Sequence, residues 1–134
     1  RNVAFADGLV ICAMDARRSQ IYNALFEIRG GKPVRLCGDR AISLAKLGEE
    51  LGKMQKSAFL VGDGAQLCYN TCLDMGIPAV LAPGNLVSQS AWGVAMAAFG
   101  QTPAPAEELL PVYLRLSQAE RERQARLAAQ AAQE

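Results

Sequence analysis

Leu9-Val10-Ile11-Cys12-Ala13-Met14 is an unbroken apolar run. It is too short for a helix of ordinary length and has no alternation, so it reads as a strand buried on both faces. A strand of that kind belongs in the middle of a sheet, and its neighbours decide which sheet. Asp15-Ala16-Arg17-Arg18-Ser19-Gln20 is polar and reads as a turn. Ile21 to Ile28 then alternates, with Tyr22, Ala24, Phe26 and Ile28 on one face and Asn23 and Glu27 on the other. That pattern predicts a half-buried strand returning beside the first. Arg29-Gly30-Gly31-Lys32 is a hairpin signal. Pro33 to Cys37 follows as a third strand, placed at an edge by its proline.

The period then changes. Leu44, Leu47, Leu51 and Met54 fall at helical spacing, with Ser43 positioned as the N-cap. Ser57 to Val61 is a short apolar strand ended by Gly62-Asp63-Gly64. Ala65 to Met75 reads as a helix with Cys68, Cys72 and Met75 on one stripe and Gly76 at its C-cap. Pro78 to Ala82 is another strand. Ser88 to Phe99 is a helix rich in small residues, closed by Gly100; Ser88 or Ser90 would cap it, and Trp92 is expected in the core. Gln101 to Glu108 is a proline-bearing loop, and Pro111 to Arg115 is extended. Ser117 and Glu120 form a capping box, opening a tail helix whose only large apolar residue is Leu127.

The order is βββαβαβα, then a C-terminal helix. Strands joined through helices run parallel with right-handed crossovers. A meander feeding such units gives an α/β mixed sheet with helices on both faces. This is the layout of one lobe of the actin-like, ribonuclease-H-like fold. The domain reading is a lobe over residues 1–116 and a tail helix over 117–134.

Composition narrows the function. The 134 residues suit a single domain of ordinary size. Hydrophobic residues at 51% and charged residues at 20% are a globular balance. A net charge of +1 gives no global pull toward nucleic acid or anionic membrane. No apolar run reaches the roughly 20 residues of a membrane span, and Arg1 to Asp7 has no signal-peptide core, so the cytoplasm is the expected location. The chain has no histidine. That removes the Ser-His-Asp triad, the Cys-His pair and the H-E-x-x-H zinc site together. Cys12, Cys37, Cys68 and Cys72 form no C-x-x-C pair and read as small buried apolar residues, so neither a metal nor a cofactor is expected.

Three loops carry polar chemistry at strand ends. Gly62-Asp63-Gly64 lies between a strand and a helix; its amides could face a phosphate, or the loop could be a tight turn with Asp63 as cap. Asp15, Arg17 and Arg18 offer a carboxylate and two guanidiniums for a partner or phosphate, or a solvated turn with local ion pairing. Ala82-Pro83-Gly84-Asn85 reads as a structural junction. Arg115, Arg121, Arg123 and Arg126 make the tail locally basic, offset by Glu120, Glu122 and Glu134.

Met14-Asp15-Ala16-Arg17-Arg18-Ser19-Gln20-Ile21-Tyr22-Asn23-Ala24-Leu25-Phe26 resembles the "DAR…Y…L" hairpin of the TsaB (YeaZ) family. Val61 to Ala65 resembles that family's strand–loop–helix. Pro111-Val112-Tyr113-Leu114-Arg115 with Gln118 to Glu122 resembles its C-terminal signature. The resemblance covers nearly the whole chain but only the second half of such a protein, without the N-terminal lobe and its Asp-Thr-Ser-type hairpin. With Arg rather than Met at position 1 and a strand begun by Leu9, the chain looks like a piece of a longer protein.

The resemblance implies a non-catalytic scaffold and dimerisation subunit for N6-threonylcarbamoyladenosine formation at tRNA position 37. Its partners would be a TsaD-type catalytic subunit and a TsaE-type ATPase, met largely through the missing lobe, with tRNA touched only indirectly. Older usage calls the superfamily glycoproteases, and the absent histidines argue against metal-peptidase chemistry in this chain. The alternative is a nucleotide-binding enzyme lobe of the sugar-kinase or actin type, using Gly62 to Gly64. A severed lobe would also expose apolar surface, so self-association is expected, as a homodimer through Leu9 to Met14 or the Ala-rich helix.

Overall fold

The computed structural model describes residues 1–116 and 118–131. It divides into two compact units, residues 1–103 and residues 104 onward.

The first unit is built on β1 (Gly8–Asp15), the apolar run. β1 pairs antiparallel with β2 (Gln20–Arg29) on one side and parallel with β5 (Ala58–Val61) on the other. β6 (Ala79–Leu81) extends the parallel part beyond β5. On the outer side of β2, two short strands share one edge. β3 (Lys32–Arg35) pairs with Phe26 to Arg29, and β4 (Arg40–Ser43) pairs with Gln20 to Asn23. Between them the chain steps off the ladder. There Leu36 N–H still reaches the Leu25 carbonyl at 2.8 Å, and Leu25 N–H meets Cys37 Sγ at 3.3 Å. The sheet is therefore mixed, as expected, and six-stranded, with one more strand and one more helix than the predicted order: ββββαβαβαα. β4 is only four residues of mixed polarity running straight into a helix, too short to show a period of two.

Alternate residues of each strand feed two cores. Leu9, Ile11, Ala13, Ile21, Leu25, Ala58 and Leu60 face α1 (Leu44–Met54) and α2 (Ala65–Asp74), with Leu47, Leu51, Cys68 and Cys72 from the helices. Each fully buried Ile or Leu here contributes about 1.5–3 kcal/mol. Ser43 caps α1 as expected, accepting from Lys46 N–H at 3.2 Å. Gly48 faces α2, where an added Cβ would meet the flexible end of the Met75 side chain. The opposite face gathers Val3, Val10, Ile28 and Ala82, with Leu86 and Val87 of α3 (Gly84–Val87) packed against them.

Two expectations need correction. Asn23 is not on a solvent face: it is 3% exposed, because β4 brings Arg40 to satisfy it. The helix expected over Ser88 to Phe99 is α4 (Ala91–Ala98), separate from α3 and capped by Ser90. No residue of α4 is buried, and Trp92 is 62% exposed rather than in the core. Pro83 starts α3, and Ser88 in extended conformation ends it, which breaks the run.

The second unit holds a 3-10 turn at Ala106–Glu108, a stretch without regular secondary structure and α5 (Gln118–Ala131). Leu109, Leu110, Val112 and Tyr113 are all more than 70% exposed. The capping box expected at Ser117 lies outside the described residues. No described helix is long and apolar enough to cross a membrane.

Candidate functional site

β1 and β5 run parallel, so Met14-Asp15 and Gly62-Asp63-Gly64 emerge at the same end of the sheet. In α/β sheets ligands gather outside the carboxyl ends of parallel strands. Two of the loops singled out in the sequence therefore meet here, and the contact is close. Gly62 has φ +102°, and a Cβ there would stand 1.9 Å from the Ala13 carbonyl oxygen. A Cβ on Gly64 would come within 3.0 Å of Asp15 N. Gly62 is demanded by the approach of one backbone to another, and Gly64 sits in a tight fit against the same strand.

The loop's amides are spent inside the protein. Gly62 N–H donates to the Val87 carbonyl at 2.6 Å, Gly64 N–H to Ala13 at 3.1 Å, and Ala65 N–H back to Gly62 at 3.1 Å. A phosphate seated on this loop would have to displace those bonds. Asp63 does not cap α2; the N-cap is Gly64, with no side-chain bond. The exposed Asp63 side chain instead lines a shallow cleft of about 220 Å³ with Met14, Ser88 and Gln89. Gln89 Nε2 lies 3.6 Å from Met14 Sδ across it. Ser88 and Gln89 carry no motif. Only the fold, which returns β6 beside β5 and then runs α3 back to Gly62, brings them here.

The turn after β1 is tighter than its residues suggest. Arg17, Arg18 and Ser19 all take left-handed backbone angles, with φ of +62°, +56° and +55°. Each such non-glycine residue costs roughly 1–2 kcal/mol. Asp15 offsets part of this, since its Oδ1 accepts from Arg17 N–H at 2.7 Å and its Oδ2 sits 3.2 Å from Arg17 Nη1. Ser19 also accepts from Leu44 N–H at 3.0 Å, fixing the turn to the start of α1. The local ion pairing expected of this turn is present, and the Arg17 side chain remains 86% exposed.

A second polar group lies within the fold. Asn23 Nδ2 donates to the Cys12 carbonyl at 3.1 Å, and Asn23 Oδ1 accepts twice from Arg40 at 3.2 Å. Arg40 in turn forks onto Glu50, its shorter bond 2.6 Å. This chain ties β1, β2, β4 and α1 together. The sequence signal for it was an asparagine inside an apolar strand.

The four cysteines are free. Burial pushes the Cys68 thiol up to about 12, helped by the neighbouring Cys72. Burial also raises Cys72, and raises Cys12 against the lowering pull of the N-terminus and Arg35. Among the described residues, no three potential ligands cluster to hold a metal.

The arrangement at the sheet end offers a carboxylate, a hydroxyl and a carboxamide around a methionine, with guanidiniums on the adjoining turn.

No protein-family model matches the chain, and no curated protein matches it. Among solved structures it is similar to one titled an uncharacterized protein with similarity to peptidase YEAZ, from Pseudomonas aeruginosa. Identity is 22% and the TM-score 0.53, over 81% of this chain and 50% of that one. The chain thus spans about half the length of the structure it matches, and what the two share is the YeaZ-like mixed α/β fold.

Proposed function

We propose that the chain is one lobe of a non-catalytic scaffold subunit in the cytoplasm. Residues 1–116 form the second lobe of a two-lobe protein that holds a TsaD-type catalytic subunit while N6-threonylcarbamoyladenosine is made at tRNA position 37. A TsaE-type ATPase joins the pair. The observation that carries this reading is the YeaZ-like fold over 81% of the chain. The Asp15-Ala16-Arg17 hairpin and the Pro111-Val112-Tyr113-Leu114-Arg115 signature support it. The absence of histidine favours a scaffold over the peptidase named in the neighbour's title.

The test is genetic and biochemical. Deleting the gene should remove the modified adenosine from bulk tRNA, read by nucleoside mass spectrometry. The full-length gene product should co-purify with the TsaD-type protein of the same cell. Retained modification together with no co-purification would sink the reading. Micromolar ATP or GTP binding by calorimetry would favour the nucleotide-binding enzyme lobe instead.

A further inference from the structure

The residues before β1 form a strap on the sheet face opposite α1 and α2. Val3 is buried there with Val10, Ile28 and Ala82, and Phe5 meets the Phe59 ring edge-on at 6.5 Å. Bonds from Ala4 N–H to the Arg1 carbonyl and from Ala6 N–H to the Val3 carbonyl, both 3.0 Å, hold its shape. Asn2 is the only polar side chain between Arg1 and Asp7, and it reaches the junction of α3 and α4. Its Nδ2 donates to the Ser88 carbonyl at 3.0 Å, and its Oδ1 accepts from Ser90 Oγ at 2.8 Å. Ser90 Oγ in turn accepts from Gly93 N–H at 3.0 Å, capping α4.

These bonds bear on the cleft at the sheet end. Ser88 and Gln89 line it with Met14 and Asp63, and the segment that carries them is held at three points. Gly62 N–H holds the Val87 carbonyl at 2.6 Å, and Asn2 holds both Ser88 and Ser90. Two of the three anchors therefore belong to one side chain of the strap.

We propose that Asn2 is a latch through which the position of the strap sets the wall of the cleft. In the two-lobe reading, on which this inference rests, residues 1–7 carry the connection from the first lobe. A displacement of that lobe pulls on Ser88 and Ser90 before it disturbs β1, which is bonded to a neighbour on both sides. With Asn2 seated, Ser88 and Gln89 are fixed beside Asp63. With Asn2 withdrawn, they are released. The coupling runs both ways, so loosening the wall also frees the strap. Gly93 leaves room for the latch, since a Cβ there would stand 2.4 Å from Asn2 Oδ1. Gly93→Ala therefore pushes the asparagine off its partners while favouring the helix itself.

Amide hydrogen exchange of the full-length gene product, read by NMR, tests the latch. In Asn2→Ala, amides over residues 88–94 and that of Gly62 should exchange at least about tenfold faster, the effect of two lost hydrogen bonds. Those of α1 and α2 should keep their rates. Gly93→Ala should give the same pattern, although alanine is the better helix former. Ser90→Ala should speed exchange at Ala4 and Ala6, which a role confined to capping α4 would not. The latch is overturned by unchanged rates over 88–94 in Asn2→Ala, by equal acceleration throughout the protein, by slower exchange over 88–94 in Gly93→Ala, or by an unmoved strap in Ser90→Ala. Exchange is read on this protein alone, without its partner or tRNA. The latch can therefore fail while tRNA modification stands, and the scaffold role can fail while the latch stands.

Discussion

Gly62 shows how much one missing side chain can decide. Its left-handed φ and the Ala13 carbonyl lying where a Cβ would go act together. Gly62→Ala should therefore destabilise the protein by about 3 kcal/mol, strain and overpacking combined, measured as a lower urea midpoint at unchanged slope. Gly84, with nothing near its Cβ position and no positive φ, is the control, and Gly84→Ala should shift the midpoint far less. Cys68 makes a pH statement. Its folded pKa, about 12, lies above the ordinary thiol value of 9.0. The folded state then keeps its proton where the unfolded state loses it. This stabilisation is complete below pH 9 and is lost as pH rises toward 12, at about 1.4 kcal/mol per pH unit for one thiol. Urea midpoints should fall across that window and fall less steeply in Cys68→Ala. In native protein at pH 8, Cys68 should also resist thiol reagents that label it after unfolding.

Elements are joined here by polar atoms as well as by apolar packing. Asn23, Arg40 and Glu50 bridge two strands and a helix, and Asn23→Leu would leave Arg40 half-paired and remove the side-chain bond to the Cys12 carbonyl. A loss of about 2–3 kcal/mol is expected, and a double-mutant cycle with Arg40→Met should show strong coupling. Additive losses would mean the bonds act separately. The same residues explain what could be read in advance. The apolar β1 and the spacing of Leu44, Leu47 and Leu51 announced a central strand and a helix because burial alone fixes those patterns. β4 escaped notice since its cover of Asn23 is a tertiary arrangement, and Asn23 looked solvent-facing for the same reason. Arg17, Arg18 and Ser19 have no preference for left-handed backbone, so the shape of that turn was invisible. Asp15 and Gly62 to Gly64 were recognisable as strand-end loops, but their meeting, and the cleft with Ser88 and Gln89, depends on the parallel register of β1 and β5.

For the molecule as a whole, the division at Pro103 has a consequence for stability. Both hydrophobic cores lie within residues 1–103. A chain ending at Pro103 should therefore fold, with a thermal midpoint within a few degrees of the intact chain; an unfolded product would show that residues beyond it are needed. The placement of β1 bears on how the protein is born. Its antiparallel partner β2 follows after a four-residue turn, whereas its parallel partner β5 begins at Ala58. Contacts between near residues close early, and distant ones wait on the loop between them. During synthesis the hairpin is complete while some thirty residues are still to be made, and through that interval one edge of an apolar strand stands open to neighbouring chains.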